Sequence, residues 1–172
     1  MTRIILLGCA GSGKTTLARA LGARTGTPVI CLDDIWQRHW GPDDVDGFRE
    51  TLKKAHAGES WISDGNFAAA TFDIRLPRAD LVVWLDRSRW VCAWRAILRV
   101  FRRGEAHRPK DLMRVLRFIW GFKQRNRPLI ELTRIQHAPG IAVVRLANDR
   151  QIAAFLATAG AAANGTLHAH RR

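Results

Sequence analysis

Short, nearly continuous apolar runs alternate along this chain with stretches whose apolar residues recur every three or four positions. Arg3–Leu7, Val29–Leu32, Trp61–Ser63, Ala79–Leu85 and Ile141–Leu146 are too short to bury as helices and read as five strands. The intervening pieces carry helical spacing: Thr16–Gly22 (Leu17 and Leu21 four apart), Phe48–Ala57, Arg89–Arg103, Asp111–Arg125, Pro128–Gln136 and Gln151–Ala159. Gly26-Thr-Pro28 and Gly58 interrupt the pattern, residues 35–60 read as helical pieces around a turn at Gly41–Asp44, and Pro128 suits a first helical turn. Apolar strands alternating with helices predict a parallel sheet covered on both faces. With 172 residues, neither repeat nor linker, and a small, polar end, the pattern predicts one domain over 1–160 and a disordered tail over 161–172.

The segment Arg89–Arg103 is the most two-sided. Trp90, Trp94, Ile97, Leu98 and Phe101 form one stripe, expected to face the core. Arg95, Arg99 and Arg102, with Arg103 nearby, form another on roughly the opposite face. Its last arginines, with Arg108 across a short loop, are placed to close over phosphates, where arginine's planar fork is suited to accumulating charge.

Chemistry enters at Gly8–Thr15, which reads G-C-A-G-S-G-K-T and fills every fixed position of G-x-x-x-x-G-K-[ST]. Gly8, Gly11 and Gly13 permit backbone conformations that let successive N–H groups turn inward around a phosphate, with Ser12 among them. Lys14 supplies charge for the β- and γ-phosphates, and the Thr15 hydroxyl is a Mg²⁺ ligand. The helix that starts here, with Thr16 in its first turn, adds its positive end. A strand before the octet and a helix after it are the context that makes the motif meaningful.

Three other strands end in acid, on the rim where ligands bind in open α/β sheets. Asp33 or Asp34 can orient an acceptor hydroxyl, take its proton or hold a magnesium-bound water, while Asp34 equally suits a helix cap. Asp64 opens Asp64-Gly-Asn66 and is the preferred magnesium acid. Asp86, just before a helix, is assigned to capping. Asn148 follows the fifth strand.

The chain carries 28 Lys+Arg against 15 Asp+Glu, a net charge of +13, which draws it to polyanions such as nucleotides, nucleic acids or phosphorylated metabolites. Cys9, Cys31 and Cys92 lack metal or redox spacing and read as free thiols of a cytoplasmic protein; the six histidines show no metal spacing either. No apolar stretch is long enough to span a membrane, and the run before Cys9 is too short for a lipid-attachment signal. The absence of an N-K-x-D segment argues against a guanine-reading switch.

These residues resemble the adenylate-kinase-like P-loop proteins and, within them, the small bacterial group labelled topology modulation proteins. The resemblance covers about residues 3–157. It rests on Ile5–Thr16, Cys31-Leu-Asp33 with Ile35-Trp36, Trp61–Asn66, Arg75–Asp80 and Asn126-Arg-Pro128. It implies a P-loop three-layer sandwich with strand order 2-3-1-4-5, an acceptor-binding segment over 35–60 and a short basic lid over about 102–113. It further implies that Asp64 holds magnesium through water, that Arg102 and Arg103 begin the lid, and that Asn148–Arg150 border adenine. Asn66-Phe-Ala stands where nucleoside monophosphate kinases of that group carry Phe-Pro-Arg. The arginine for an acceptor phosphate is thus missing from its usual place, with Arg75 or Arg78 as substitutes.

The sequence therefore predicts an ATP- and Mg²⁺-dependent phosphotransferase acting on a small acceptor, a nucleotide by resemblance. Lys14, Asp33, Arg102 and Arg103 carry the chemistry. Gly8, Gly11, Ser12, Gly13, Lys14, Thr15, Thr16 and Asn148 hold the nucleotide, and Thr15 and Asp64 the metal. The alternatives are a nucleic-acid-binding regulator with ATP-binding or ATPase activity, and a metabolite kinase of the same fold acting on a sugar acid or polyol.

Overall fold

The computed structural model describes residues 2–38, 44–103 and 109–169, the side chains at 101–103, 109–111 and 160–169 excepted. Five strands, β1 (Arg3–Gly8), β2 (Val29–Cys31), β3 (Trp61–Asp64), β4 (Leu81–Leu85) and β5 (Ala142–Leu146), pair in parallel in the order β2-β3-β1-β4-β5. This is the predicted topology. The helices are α1 (Lys14–Thr25), α2 (Leu32–Arg38), α3 (Val45–Ala55), α4 (Ala68–Arg75), α5 (Arg89–Arg103), α6 (Pro109–Gly121), α7 (Arg127–His137) and α8 (Asp149–Ala169). A 3-10 turn at Leu76–Arg78 follows α4, and a π-helical segment, Phe122–Asn126, joins α6 to α7.

Because successive strand residues point to opposite faces, the near-continuous apolar strands feed two cores. Ile5, Leu7, Trp61, Val82 and Trp84 pack toward α4 to α7. Ile4, Leu6, Ile62, Val83 and Leu85 pack toward Leu17, Ala18 and Leu21 of α1 and toward α8. A third, smaller cluster of Leu32, Ile35, Phe48 and Leu52 holds α2 and α3 together beneath Trp36 and Phe67. The register sets Leu6 beside Asp64, and Asp64 beside Cys31, so the β1, β2 and β3 ends meet on one rim.

Three local expectations are corrected, and one helix was not foreseen. The Trp90/Trp94 stripe of α5 does not face the core: both tryptophans are exposed, and Cys92, Ala93 and Ala96 are buried instead. The reason is close approach. The α5 backbone comes so near the loop after β1 that a Cβ on Gly11 would collide with the Cys92 carbonyl, so only small side chains fit on that face. Trp90 packs edge-on against Trp120 of α6, with ring centroids 4.8 Å apart. Asp33 and Asp34 lie in the first turn of α2 rather than at a strand end, because β2 stops at Cys31. The helix α4 had no clear periodic signal over its eight residues. Finally, α8 continues to Ala169 through the segment expected to be disordered; its alanine-rich composition favours helix despite Gly160 and Gly165. The inferred lid falls partly on 104–108, outside the described residues, as does part of the 35–60 segment. No helix of the described residues is long and apolar enough to cross a membrane.

A buried polar chain runs behind β3. The His56 ring donates from Nδ1 to the Leu52 carbonyl (2.8 Å) and accepts at Nε2 from the Ser63 hydroxyl (2.9 Å), and Ser63 in turn accepts from Arg75 (3.0 Å). Burial lowers the His56 pKa to about 4, and the Arg75 and Arg78 cations reinforce the shift. The unfolded chain, with an ordinary value of 6.5, takes up this proton first, so the contribution of neutral His56 is full above pH 6.5 and is lost as pH falls toward 4. Urea unfolding at pH 7 and pH 4.5 is expected to show that His56→Gln loses less stability on acidification than the wild type. The difference approaches about 3 kcal/mol at the acid end.

Candidate active site

The loop between β1 and α1 is the cradle that the octet predicts. Gly8 lies at φ +148°, where a Cβ would come within 2.7 Å of the Leu85 carbonyl, and Gly11 lies at φ +75° against α5. Lys14 folds back on the loop, donating to the carbonyls of Gly8 (2.9 Å) and Cys9 (3.0 Å). Desolvation pulls its pKa below the ordinary lysine range, against the opposing pull of Asp64 and Asp33. The Ser12 hydroxyl is buried with no partner among the described residues. The Cys9 thiol hydrogen-bonds with that of Cys92, tying the loop to α5, and this contact together with burial pushes the Cys9 pKa up.

The Thr15 hydroxyl donates to Asp64 Oδ2 at 2.5 Å, while Oδ1 of the same buried carboxylate has no partner among the described residues. A carboxylate oxygen withdrawn from water and left without a donor is costly unless something else satisfies it. A hydroxyl and a half-satisfied carboxylate at the head of a phosphate-binding loop are a donor set suited to Mg²⁺. The residues present therefore fit the expected metal. Asp33 faces the same space. Desolvation holds its carboxyl above the usual range, with the Asp64 and Asp34 charges adding and Lys14 opposing.

Two residues that the sequence reading missed in these roles hold the site together. Asn66 clasps Gly8 from both sides: its Oδ1 accepts from the Gly8 N–H (3.1 Å) and its Nδ2 donates to the Gly8 carbonyl (2.9 Å). Arg75 is wholly buried, and its guanidinium donates to the carbonyls of Gly65 (3.0 Å) and Asn66 (2.6 Å), to Ser63 (3.0 Å) and to the Thr71 hydroxyl (3.0 Å). Burial lowers its pKa to about 9, so it remains a cation at neutral pH. The departure Asn66-Phe-Ala was the available signal for Asn66. Nothing in the spacing distinguishes Arg75 from its neighbours.

Two cavities share the loop. One, of about 570 Å³, runs from Lys14, Thr15, Asp33 and Asp64 to an outer wall formed by α4, Phe118 and the start of α7. The other, of about 800 Å³, lies between α1, α5 and the start of α8, lined by Trp94, Leu98, Ile152 and Leu156 together with Arg87, Arg95 and Asp149. Gly11, Gly13, Thr16 and Arg99 border both. Asp149 bridges the second cavity by pairing with Arg87 and, at 3.2 Å, with Arg95.

Of the predicted residues, the structure brings Gly11, Gly13, Lys14, Thr15, Thr16, Asp33 and Asp64 around the first cavity. Asn148 is occupied at the start of α8, its side chain accepting from the Gln151 N–H (2.9 Å); its neighbour Asp149 reaches the second cavity instead. Arg102 and Arg103 end α5, and their side chains lie outside the described residues; Arg99 and Arg95, one and two turns earlier, border the cavities. Asp86, assigned to capping, pairs with Arg127 (3.0 Å) and so anchors α7 to β4. Neither expected substitute for the acceptor arginine serves: Arg75 is buried in protein bonds, and Arg78 donates to the Ala57 carbonyl (2.8 Å).

A glycine-rich loop between the central strand and the first helix of a 2-3-1-4-5 sheet defines the P-loop kinase fold. Comparison with solved structures agrees. The chain aligns over 91% of its length with 95% of a shikimate kinase from Bacteroides thetaiotaomicron (TM-score 0.59, 21% identity). It aligns over its whole length with 96% of the Acinetobacter baumannii shikimate kinase in complex with shikimate (0.57, 17%), and over 99% with 98% of a gluconokinase from Sinorhizobium meliloti (0.54, 18%). Among curated proteins it resembles the shikimate kinase of Symbiobacterium thermophilum, 34% identical over 98 residues that cover 48% of this chain and 56% of that one. The chain thus spans just over half the length of that curated relative. No family model matches.

Arg75→Met removes the donors of four buried acceptors and is expected to destabilise the protein by about 2–4 kcal/mol in urea unfolding. Arg75→Lys is expected to recover only part of this, since one ammonium cannot span carbonyls, Ser63 and Thr71 together.

Proposed function

We propose that the protein is an ATP-dependent kinase that transfers the γ-phosphoryl group to a hydroxyl of a small metabolite. The observation that carries this reading is the loop's position between two cavities that share Gly11, Gly13, Thr16 and Arg99, an arrangement suited to a donor on one side and an acceptor on the other. The loop amides and Lys14 hold the β- and γ-phosphates. Magnesium, held by Thr15 and the free Asp64 oxygen, would neutralise charge on the transferring group. Asp33, with its raised pKa, orients the acceptor hydroxyl and takes its proton as the new O–P bond forms and the bond to ADP breaks. Arg99, which borders both cavities, and Arg95, which borders the second, are the described arginines assigned to steady the transferring group, with Arg102 and Arg103 as further lid candidates. The adenosine end is assigned to the second cavity, with Asn148–Arg150 at its border.

Likeness to shikimate kinases and a gluconokinase supports a metabolite acceptor over the nucleotide implied by the sequence resemblance. So does the engagement of Arg75 and Arg78 within the protein, which leaves neither for an acceptor phosphate. The second reading, a nucleic-acid-binding regulator of the topology modulation type, is supported by the exposed Trp90, Trp94 and Trp120 among the arginines of α5 and α6. A cytoplasmic location fits either reading.

A screen of ATP and Mg²⁺ against nucleoside monophosphates, nucleosides and hydroxylated metabolites is expected to yield a phosphorylated metabolite. Lys14→Ala is expected to abolish transfer with the fold intact by circular dichroism, and Asp33→Asn to lower kcat about 10²–10⁴-fold. Transfer to water alone, with duplex DNA affinity falling steeply between about 50 and 200 mM salt, would instead favour the regulator.

A further inference from the structure

We infer that the acceptor is an uncharged alcohol with an apolar body, bound against the aromatic and aliphatic wall of the first cavity. This rests on the kinase reading and specifies its substrate class. Away from the loop, Asp33, the Asp64–Asn66 turn and Arg99, the described wall is Phe67, the Ala68–Ala70 turn of α4, Phe118, Leu129 and Ile130, with Asn126 as a polar group on the α7 side. Such a surface gains by covering apolar area and offers a hydrogen bond at one place.

Three described arginines of the acceptor side are committed elsewhere. Arg49 donates to the Ala70 carbonyl (2.6 Å) and pairs with Asp73. Arg75 is wholly buried beneath the Gly65–Asn66 turn. Arg78 points to the Ala57 carbonyl, away from the cavity. The cations that line the cavity among the described residues are Lys14 and Arg99, both on the side of the phosphate loop. An acid placed with its hydroxyl at Asp33 would therefore turn its carboxylate toward aromatic and aliphatic carbon, where burying a charge without a partner is costly.

Phe67 adds an independent observation. It is the described non-glycine residue with positive φ, at +35°, a conformation that a bulky side chain adopts only when its surroundings enforce it. The enforcement is visible. Its carbonyl accepts from the Thr71 hydroxyl (2.8 Å) and the Ala70 N–H (3.2 Å), and its ring packs against Phe48 (5.7 Å) and Trp36 (5.9 Å). The fold maintains a strained backbone at an aromatic residue that lines the cavity. The proposed site separates this protein from the shikimate kinases it resembles, whose substrate is an acid.

The test uses the full chain loaded with Mg²⁺ and a non-hydrolysable ATP analogue, whose own binding is measured first. Calorimetry then compares matched pairs: 4-methylbenzyl alcohol with 4-(hydroxymethyl)benzoate, and cyclohexylmethanol with 4-(hydroxymethyl)cyclohexanecarboxylate. The expected result is at least tenfold tighter binding of each uncharged member. Leu129→Arg, at a half-exposed position of the wall, is expected to narrow or reverse that preference while leaving analogue binding unchanged, and Asn126→Arg is a second variant with the same expectation. Equal or reversed preference in the wild type, or binding of neither member, overturns the acceptor class while the kinase reading survives on analogue binding. Failure of the analogue to bind overturns both.

Discussion

A single buried cation organises the rim where β1 and β3 end. Arg75 enters the protein from the last turn of α4 and gives its hydrogen bonds to the carbonyls of Gly65 and Asn66 and to Ser63. Those carbonyls belong to a turn that leaves β3 through a glycine at φ +139° and could not pair within the sheet. The turn must nevertheless be rigid, because Asp64 on one side meets Thr15 and Asn66 on the other clasps Gly8. Satisfying the turn from beneath leaves its upper surface to the phosphate loop. The cost of burying the guanidinium is offset by four acceptors and by the ring of Phe72, 5.2 Å from its centre.

The same chain of contacts explains why His56 stays neutral. Ser63 donates its one proton to His56 and receives one from Arg75, so the ring nitrogen facing Ser63 must be an acceptor. A proton there would break the relay and set a second positive charge beside a buried one. Packing, tautomer and the position of Asp64 are thus coupled: the residue behind the strand constrains the one at its tip.

Much of the fold was legible because its signals are local. Five apolar runs gave five strands, and the octet fixed the place of the phosphate loop. Asp64 was placed on the rim because the ends of parallel strands share it, whereas Asp33 reaches the same cavity from the first turn of α2. What escaped depended on partners distant in sequence. The inward face of α5 was misassigned because helical periodicity reports an apolar stripe but not how closely a neighbouring backbone approaches; here Gly11 meets Cys92, and bulky Trp90 and Trp94 are driven outward. Arg75 looked like one basic residue among 28, and its burial follows from carbonyls ten and nine residues before it. Asp86 looked like a cap because a helix follows it, yet its partner, Arg127, is 41 residues away.

Net charge is therefore a poor guide to the charge of a site. The chain carries an excess of thirteen positive charges, yet three described arginines near the first cavity, Arg49, Arg75 and Arg78, are held by Asp73 and by backbone carbonyls. The cations left facing the cavities, Lys14, Arg87, Arg95 and Arg99, gather around the phosphate loop and the second cavity. Polarity thus divides along the loop itself. On one side charge suits a polyanionic donor; on the other, the wall of Phe67, Phe118 and Leu129 suits a body that water does not hold strongly. A kinase with such a division would discriminate among acceptors less by attracting the right charge than by refusing the wrong one, because among the described residues that wall offers an acid no cation to replace its water.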